Sequence, residues 1–177
     1  MSYDLYFLTR QPGQSWEDVM SQLEGDDSED VPLDDEAVAA WDRVKAAVGP
    51  VLADASEFAV STSRQLNDDA TGIQISMVPG ELSLTVPYWY TGPDAERIVG
   101  ILHEVAAAIE QATGLTAYDP QAEAPFLGEG EYGAARTLDR IHTSVIHRHA
   151  ASEPADRAPR SELPHGLWAR LFGRGPR

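Results

Sequence analysis

Cysteine is missing from this chain of 177 residues. Without a thiol the protein forms no disulfide bond, and it offers no thiolate as a nucleophile or as a metal ligand. Sequences without cysteine fit the reducing interior of a cell. We therefore expect a cytoplasmic protein.

Long hydrophobic runs are missing as well. No apolar stretch of about 18 residues occurs, so the sequence predicts no membrane-spanning helix. The first ten residues, MSYDLYFLTR, lack a basic segment ahead of a hydrophobic core, and no signal peptide is predicted. Apolar residues make up 42% of the chain and charged residues 24%, a composition typical of a globular domain.

Basic residues are few and unevenly placed. Residues 1–124 carry 23 acidic and 5 basic side chains, a net charge of −18. Residues 125–177 carry 6 acidic and 8 basic side chains, a net charge of +2. Because phosphate binding needs a positive surface, the acidic body argues against a nucleic acid. We expect it to bind a basic protein partner; the alternative is a surface charged for solubility alone. The acidic residues expected to contact the partner are Asp26, Asp27, Glu29, Asp30, Asp34, Asp35 and Glu36.

Sequence motifs of catalysis and cofactor binding are also absent. The chain contains no GxGxxG, no P-loop and no HExxH motif. Three histidines near the C-terminal end, His142, His147 and His149, include no pair at the i, i+4 spacing that would place two ligands on one helical face. We therefore predict no catalytic residue, no metal and no cofactor, and a protein that is not an enzyme.

The clearest secondary structure lies in the middle of the chain. Residues 73–77 and 82–86 alternate between apolar and polar side chains, which predicts two strands with one buried face each. Pro79-Gly80 between them predicts a tight hairpin turn. Residues 3–9 are aromatic and aliphatic on both faces, which indicates a strand in the interior of the sheet.

Three helices and a last strand complete the pattern. Ser15 is expected to cap a first helix together with Asp18, a second helix is expected to begin near Asp34 and to end at Gly49-Pro50, and a third spans residues 94–113. A short strand follows at 115–118. Residues 51–70 are less regular: we expect a short strand around Phe58 and Val60 and a loop at 67–69.

The resulting order, β-α(α)-β-β-α-β, predicts an α+β fold of the ferredoxin-like, split βαβ kind over residues 1–121. In this arrangement the helices cover one face of an antiparallel sheet. The polar residues of the central strands, among them Gln74, Ser76, Ser83 and Thr85, are then expected on the opposite face.

The segments YDLYF (residues 3–7) and YDPQ (residues 118–121) carry a resemblance. With them, the chain resembles a group of small bacterial proteins that begin with a YDLYF-like strand and close the core with YDPQ. The resemblance covers about residues 1–121 and implies no particular activity. Some small acidic proteins of this general kind neutralise toxins, and an immunity-like or inhibitor-like binding protein is the function we expect.

A polar corner at the end of the sheet is a second candidate site. It would combine Tyr88, Trp89, Tyr118 and Asp119 in a pocket, and an enzyme using this corner is an alternative function. Asp119 precedes a proline, which favours extended geometry and the end of a strand. The other interpretation of Asp119 is a hydrogen-bonded turn that anchors the last strand.

The C-terminal part has a different organisation. Residues 122–149 are expected to form an appended loop and helix, residues 150–164 a flexible linker, and residues 165–177 a basic amphipathic segment. The side chains of this segment that we expect to contact a partner are Leu167, Trp168, Arg170, Leu171 and Phe172. They predict a docking peptide for a groove, with the chain's own acidic body as an alternative surface. The second function class is therefore an adaptor or cargo protein recruited to a larger assembly or to a membrane surface, the membrane being the weaker candidate.

Overall fold

The computed structural model describes residues 2–24 and 31–127, and within these ranges it contains three helices and one open antiparallel sheet of seven strands. No helix in this part of the chain is long and apolar enough to cross a membrane. The elements in chain order are β1 (Ser2–Leu8), α1 (Trp16–Glu24), α2 (Asp35–Val48), β2 (Ser56–Ala59), β3 (Arg64–Asp68), β4 (Ile73–Val78), β5 (Glu81–Pro87), α3 (Gly92–Thr113), β6 (Thr116–Asp119) and β7 (Ala124–Pro125).

The sheet has the order β2-β3-β4-β5-β1-β6-β7, and every pair of neighbours is antiparallel. The N-terminal strand β1 lies in the interior of the sheet, where Leu5 pairs with Leu84 of β5 and Phe7 with Ala117 of β6. The predicted interior position of this strand is confirmed. Its odd-numbered side chains Tyr3, Leu5 and Phe7 are buried, whereas on the even-numbered side only Leu8 is.

Local sequence signals place the predicted hairpin and helices correctly. Val78 at the end of β4 pairs with Glu81 at the start of β5. The tight turn between them contains Gly80, which has a positive φ of 78°. Ser15 and Asp18 form the predicted capping box, with the Asp18 N–H donating to Ser15 Oγ at 3.1 Å and the Ser15 N–H to Asp18 Oδ2 at 3.1 Å. The Asp34 carboxylate caps α2 by accepting the N–H of Ala37 at 2.7 Å.

The main core lies between one face of the sheet and the pair α2 and α3. Helix α2 contributes Trp41, Val44 and Val48, all buried. The long helix α3 ends at Gly114, whose left-handed φ of 75° turns the chain back into β6. The buried residues that α3 contributes are Ala95, Ile98, Leu102, Val105, Ala106 and Ile109.

The prediction that all helices lie on one face of the sheet is wrong. Helix α1 packs on the opposite face, where its buried Val19 joins Leu8 of β1 and Tyr118 of β6 in a second, smaller cluster. The reason lies at one end of the even-numbered side of β1, where Tyr6 and Leu8 follow the polar Ser2 and Asp4. Leu8 and Tyr118 need a cover of their own, and the apolar stripe of α1 provides it.

The prediction of a loop at 67–69 is also wrong for its first two residues. Asn67 and Asp68 end strand β3, which lies between β4 and the edge strand β2. Asp68 is buried, and its Oδ2 accepts hydrogen bonds from the backbone N–H of Thr71 at 3.0 Å and from its hydroxyl at 2.5 Å. A polar residue that normally favours loops is therefore retained in a strand because its carboxylate closes the following turn.

The packed chain continues beyond residue 121. Phe126 is fully buried in the main core, and its ring lies 6.5 Å from that of Tyr3 and 4.5 Å from that of His103. Burial lowers the pKa of His103. The expected helix within 122–149, apart from residues 122–127, lies outside the described residues, as do the linker 150–164 and the tail 165–177.

The turn before β4 contains a glycine that no other residue replaces without strain. Gly72 has a φ of 63°, and a Cβ at this position would lie 2.9 Å from Trp89 Cζ2 and 3.0 Å from Pro87 Cγ. We predict that Gly72→Ala lowers the free energy of unfolding by about 2–3 kcal/mol, from the left-handed backbone and the clash together.

Urea denaturation measures this loss, and Gly13→Ala provides the matched control. Gly13 also has a positive φ, 85°, but nothing lies within 4 Å of its added Cβ. This control should lose only about 1 kcal/mol, the cost of the backbone conformation. Equal losses in the two variants would show that Trp89 and Pro87 do not crowd Gly72.

Candidate functional site

Two adjoining cavities open at the end of the sheet that carries the β4–β5 turn. The first, of 370 Å³, lies between α1 and this turn, and the second, of 420 Å³, lies between the turn and the adjacent ends of α2 and α3. We call the two together the end groove. The residues that line both cavities are Ala37, Met77, Gly80, Leu82 and Leu115.

The floor of the end groove is apolar because strand ends meet there. The tight turn at Gly80 brings Met77 of β4 opposite Leu82 of β5, and the left-handed Gly114 places Leu115 beside them. Val19 of α1 lines the first cavity. Met77 and Leu82 are only 6% and 3% exposed, so the floor offers a small apolar surface, and a ligand gains roughly 25 cal/mol per Å² of apolar surface removed from water.

The rim of the end groove is predominantly acidic. Glu81 borders the first cavity, and Asp34 and Glu36 border the second. A single cationic side chain lines these cavities among the described residues, that of Arg43, and its Nε donates to the carbonyl oxygen of Ala112 at 3.3 Å. An apolar floor beneath three carboxylates suits a ligand that is both apolar and basic.

The acidic run predicted to contact a partner is described only at its C-terminal end. Asp34, Asp35 and Glu36 are exposed at the start of α2, and the first and third of them line the end groove. The four earlier residues of the run lie outside the described part of the chain; they are Asp26, Asp27, Glu29 and Asp30.

The four residues of the predicted polar corner lie in three places. Asp119 is 2% exposed, and its carboxylate accepts hydrogen bonds from the Tyr3 hydroxyl at 2.5 Å and from the backbone N–H groups of Gln121 at 2.8 Å and Ala122 at 3.2 Å. Tyr88 lies nearby, with its hydroxyl 3.0 Å from Gln121 Oε1. This arrangement is the hydrogen-bonded turn that anchors the last strand.

The surroundings of Tyr88 change the pKa of its hydroxyl group. Burial raises the pKa of the Tyr88 hydroxyl, and the nearby carboxylates of Asp4 and Asp119 raise it further. A phenol with a raised pKa stays protonated at neutral pH. Tyr88 therefore acts as a hydrogen-bond donor to Gln121 rather than as a base.

The other two residues of the predicted corner lie elsewhere. Trp89 is 63% exposed and packs edge to face against Tyr90. Tyr118 faces the opposite side of the sheet, where its ring stacks on Trp16 at 4.8 Å and the Arg10 guanidinium lies over the same indole. The structure does not bring the four side chains into one pocket: Tyr118 and Asp119 are successive residues of β6, whose side chains point to opposite faces of the sheet.

The stacked pair Trp16 and Tyr118 borders a separate open cleft of 570 Å³ beside α1. Glu17 and Glu123 line it too, and both raise the pKa of the Tyr118 hydroxyl, which burial raises most. Both aromatic rings in this cleft are already stacked on each other. The cleft therefore offers a ligand less free aromatic surface than its composition suggests.

The tail residues predicted to contact a partner, Leu167, Trp168, Arg170, Leu171 and Phe172, lie outside the described residues. Within residues 2–24 and 31–127, no group of three or more His, Asp or Glu side chains could hold a metal ion. Comparison of the chain with protein-family models, with curated proteins and with solved structures finds no match.

Proposed function

We propose that this protein is a non-catalytic binding protein whose end groove takes a basic, partly apolar segment of a protein partner, in the manner of an immunity protein or inhibitor. The observation that carries the proposal is the combination of an apolar floor with the acidic rim of Asp34, Glu36 and Glu81.

The two parts of the groove have different physical roles. Burial of the ligand's apolar side chains on the floor and against Val78, which is 36% exposed, would contribute affinity. The rim, together with the net charge of −18 over residues 1–124, would attract basic segments, speed their association and disfavour acidic ones. A basic amphipathic helix combines both features, with its apolar residues on one face for the floor and its cations directed to the rim.

The chemistry of the buried polar groups supports a binding role rather than catalysis. The Asp119 carboxylate is occupied by three hydrogen-bond donors and has an exposure of only 2%. General acid–base catalysis needs a group within reach of a substrate proton. In this corner the carboxylate supports the turn instead.

We also propose that β1, β4, β5 and β6 form a ferredoxin-like core with α2 and α3. The support is that α3 connects β5 to β6 while β1 lies between these two strands, which is a split βαβ unit. Strands β2 and β3 would then extend one edge of that core and β7 the other.

An arginine introduced into the groove by substitution tests the proposed function. Val78 lines the first cavity and is 36% exposed, so Val78→Arg should leave the fold intact and repel a basic ligand. The probe is a labelled synthetic peptide of Leu, Trp and Lys with its apolar residues at helical spacing, and fluorescence anisotropy measures its Kd. We expect Val78→Arg to weaken binding at least about tenfold, from lost apolar contact and added like charge.

Two controls sharpen this test. Phe58→Arg makes the same change of charge at an apolar residue that is 55% exposed on edge strand β2, away from the groove, and it should leave the Kd close to that of the wild type. A peptide with Glu in place of Lys should bind poorly, and high salt should reduce this preference. The proposal fails if Val78→Arg and Phe58→Arg change the Kd equally.

A further inference from the structure

We propose that the chain's own tail, residues 165–177, occupies the end groove in the isolated protein and must be displaced before a partner binds. This inference rests on the proposed function, because it assigns a regulatory occupant to the same groove. It deepens that function from simple binding to binding under intramolecular competition.

The described chain ends near the end groove. Strand β7 runs antiparallel to β6, and the backbone N–H of Phe126 donates to the carbonyl oxygen of Ala117 at 2.7 Å. The next residue, Leu127, is therefore at the level of Thr116, which pairs with Leu8 of β1. Since Leu8 lines the end groove, the chain leaves the described residues at the groove end of the sheet.

The length of the connection is sufficient. Residues 128–166 separate Leu127 from the first apolar residue of the tail; if they behaved as a random coil, their root-mean-square end-to-end distance would be roughly 35 Å. A tethered segment within such a distance has an effective concentration of order 1 mM. A tail with an intrinsic Kd of roughly 100 μM would then occupy the groove about nine-tenths of the time.

The tail also complements the groove chemically. Leu167, Trp168, Leu171 and Phe172 are apolar residues at helical spacing, and Arg170 lies among them. A segment of this length does not hold a helix alone in water, so its apolar side chains need a surface to pack against. The apolar floor and acidic rim of the end groove match this composition in both respects.

Variants of the full chain test the inference with the same Leu/Trp/Lys peptide as probe. Trp168→Ala/Phe172→Ala removes the two largest tail side chains. Trp89→Ala/Phe58→Ala is the matched control, since it removes the same two residue types from exposed positions outside the groove. We expect the tail variant to bind the probe about tenfold more tightly than the wild type, because it no longer has a strong competitor, and the control to bind like the wild type.

The possible results separate this inference from the proposed function. Equal probe affinity in all three chains, with Val78→Arg still weakening it, overturns tail occupancy and leaves the groove as the binding site. Absence of binding in the tail variant as well as the wild type overturns the proposed function, and the inference with it. A synthetic peptide of residues 163–177 added to the tail variant should compete with the probe, and lack of competition also contradicts the inference.

Discussion

Replacing Trp41 with alanine is expected to lower the free energy of unfolding by about 3–5 kcal/mol. This side chain is 1% exposed, and it is first in size among the fully buried side chains of the described residues. Its removal would leave a cavity between α2 and the sheet. The indole Nε1–H also donates to Glu57 Oε1 at 2.7 Å, so the variant loses a charge-assisted hydrogen bond as well.

The measurement is equilibrium denaturation in urea, with Trp89→Ala as the matched control. Trp89 is 63% exposed, and its loss should cost less than about 1 kcal/mol. Because domains of this size are stable by only about 5–15 kcal/mol, Trp41→Ala should also lower the Tm clearly. Losses of similar size in the two variants would contradict the packing of α2 described above.

The hydrogen bond to Glu57 adds a pH dependence to this result. The Trp41 indole, and next to it the Lys45 ammonium at 2.9 Å, lower the pKa of the Glu57 carboxyl. A carboxyl whose pKa is lowered by folding stabilises the folded state above its ordinary pKa of 4.5, and this stabilisation is lost as the pH falls through the lowered value. The difference in free energy of unfolding between the wild type and Trp41→Ala should therefore become smaller at acidic pH.

Replacing Tyr3 with phenylalanine is expected to cost about 1.5–3 kcal/mol. The Tyr3 hydroxyl donates to the buried carboxylate of Asp119 at 2.5 Å, and the ring contacts Phe126. The substitution keeps the ring and removes the donor, so that a carboxylate that is 2% exposed loses one of its three partners. Hydrogen bonds to charged groups are stronger than those between neutral groups. A buried charge that loses a hydrogen-bond partner therefore lowers the free energy of unfolding.

Tyr88→Phe is the control for this prediction. Its hydroxyl bonds to Gln121, an exposed residue that water can also satisfy, and we expect a loss of about 0.5 kcal/mol. A double-mutant cycle of Tyr3→Phe with Asp119→Ala should give a coupling energy of about 1–3 kcal/mol. If Tyr3→Phe costs no more than Tyr88→Phe, the bond between Tyr3 and Asp119 does not stabilise the fold.

The features that the sequence predicts well are those coded by near neighbours in the chain. The alternating residues of β4 and β5, the Ser15–Asp18 capping box and the left-handed Gly114 each act over a few positions. Their physical effects, side-chain alternation and satisfaction of free backbone groups, do not depend on the rest of the fold.

Features that depend on distant partners were missed for a physical reason. Strand β3 is polar apart from Leu66, and its Asp68 belongs to a strand only because Thr71 satisfies the carboxylate. The periodicity of α1 predicts one apolar face, but it does not say which side of the sheet that face covers. Phe126 stands between a proline and a leucine and resembles a loop residue until Tyr3 and His103 are seen beside it.

The end groove could be predicted only in part. Acidic residues at its rim, Asp34 and Glu36, were expected to contact a partner from their charge. The floor could not be predicted, because Met77, Leu82 and Leu115 show the pattern of ordinary core residues. Their role at the groove arises from where two strands and a helix end in space, and no local sequence signal encodes that.

The interior position of β1 has a consequence for synthesis on the ribosome. Tyr3 and its partner Asp119 are separated by 116 positions, and at about 5–20 residues per second this interval takes roughly 6–23 s to translate. Throughout that time one side of β1 has no neighbouring strand, because β6 has not yet been made. A nascent chain with aromatic residues on an unpaired strand is a substrate for chaperones, and the yield of folded protein should depend on their supply.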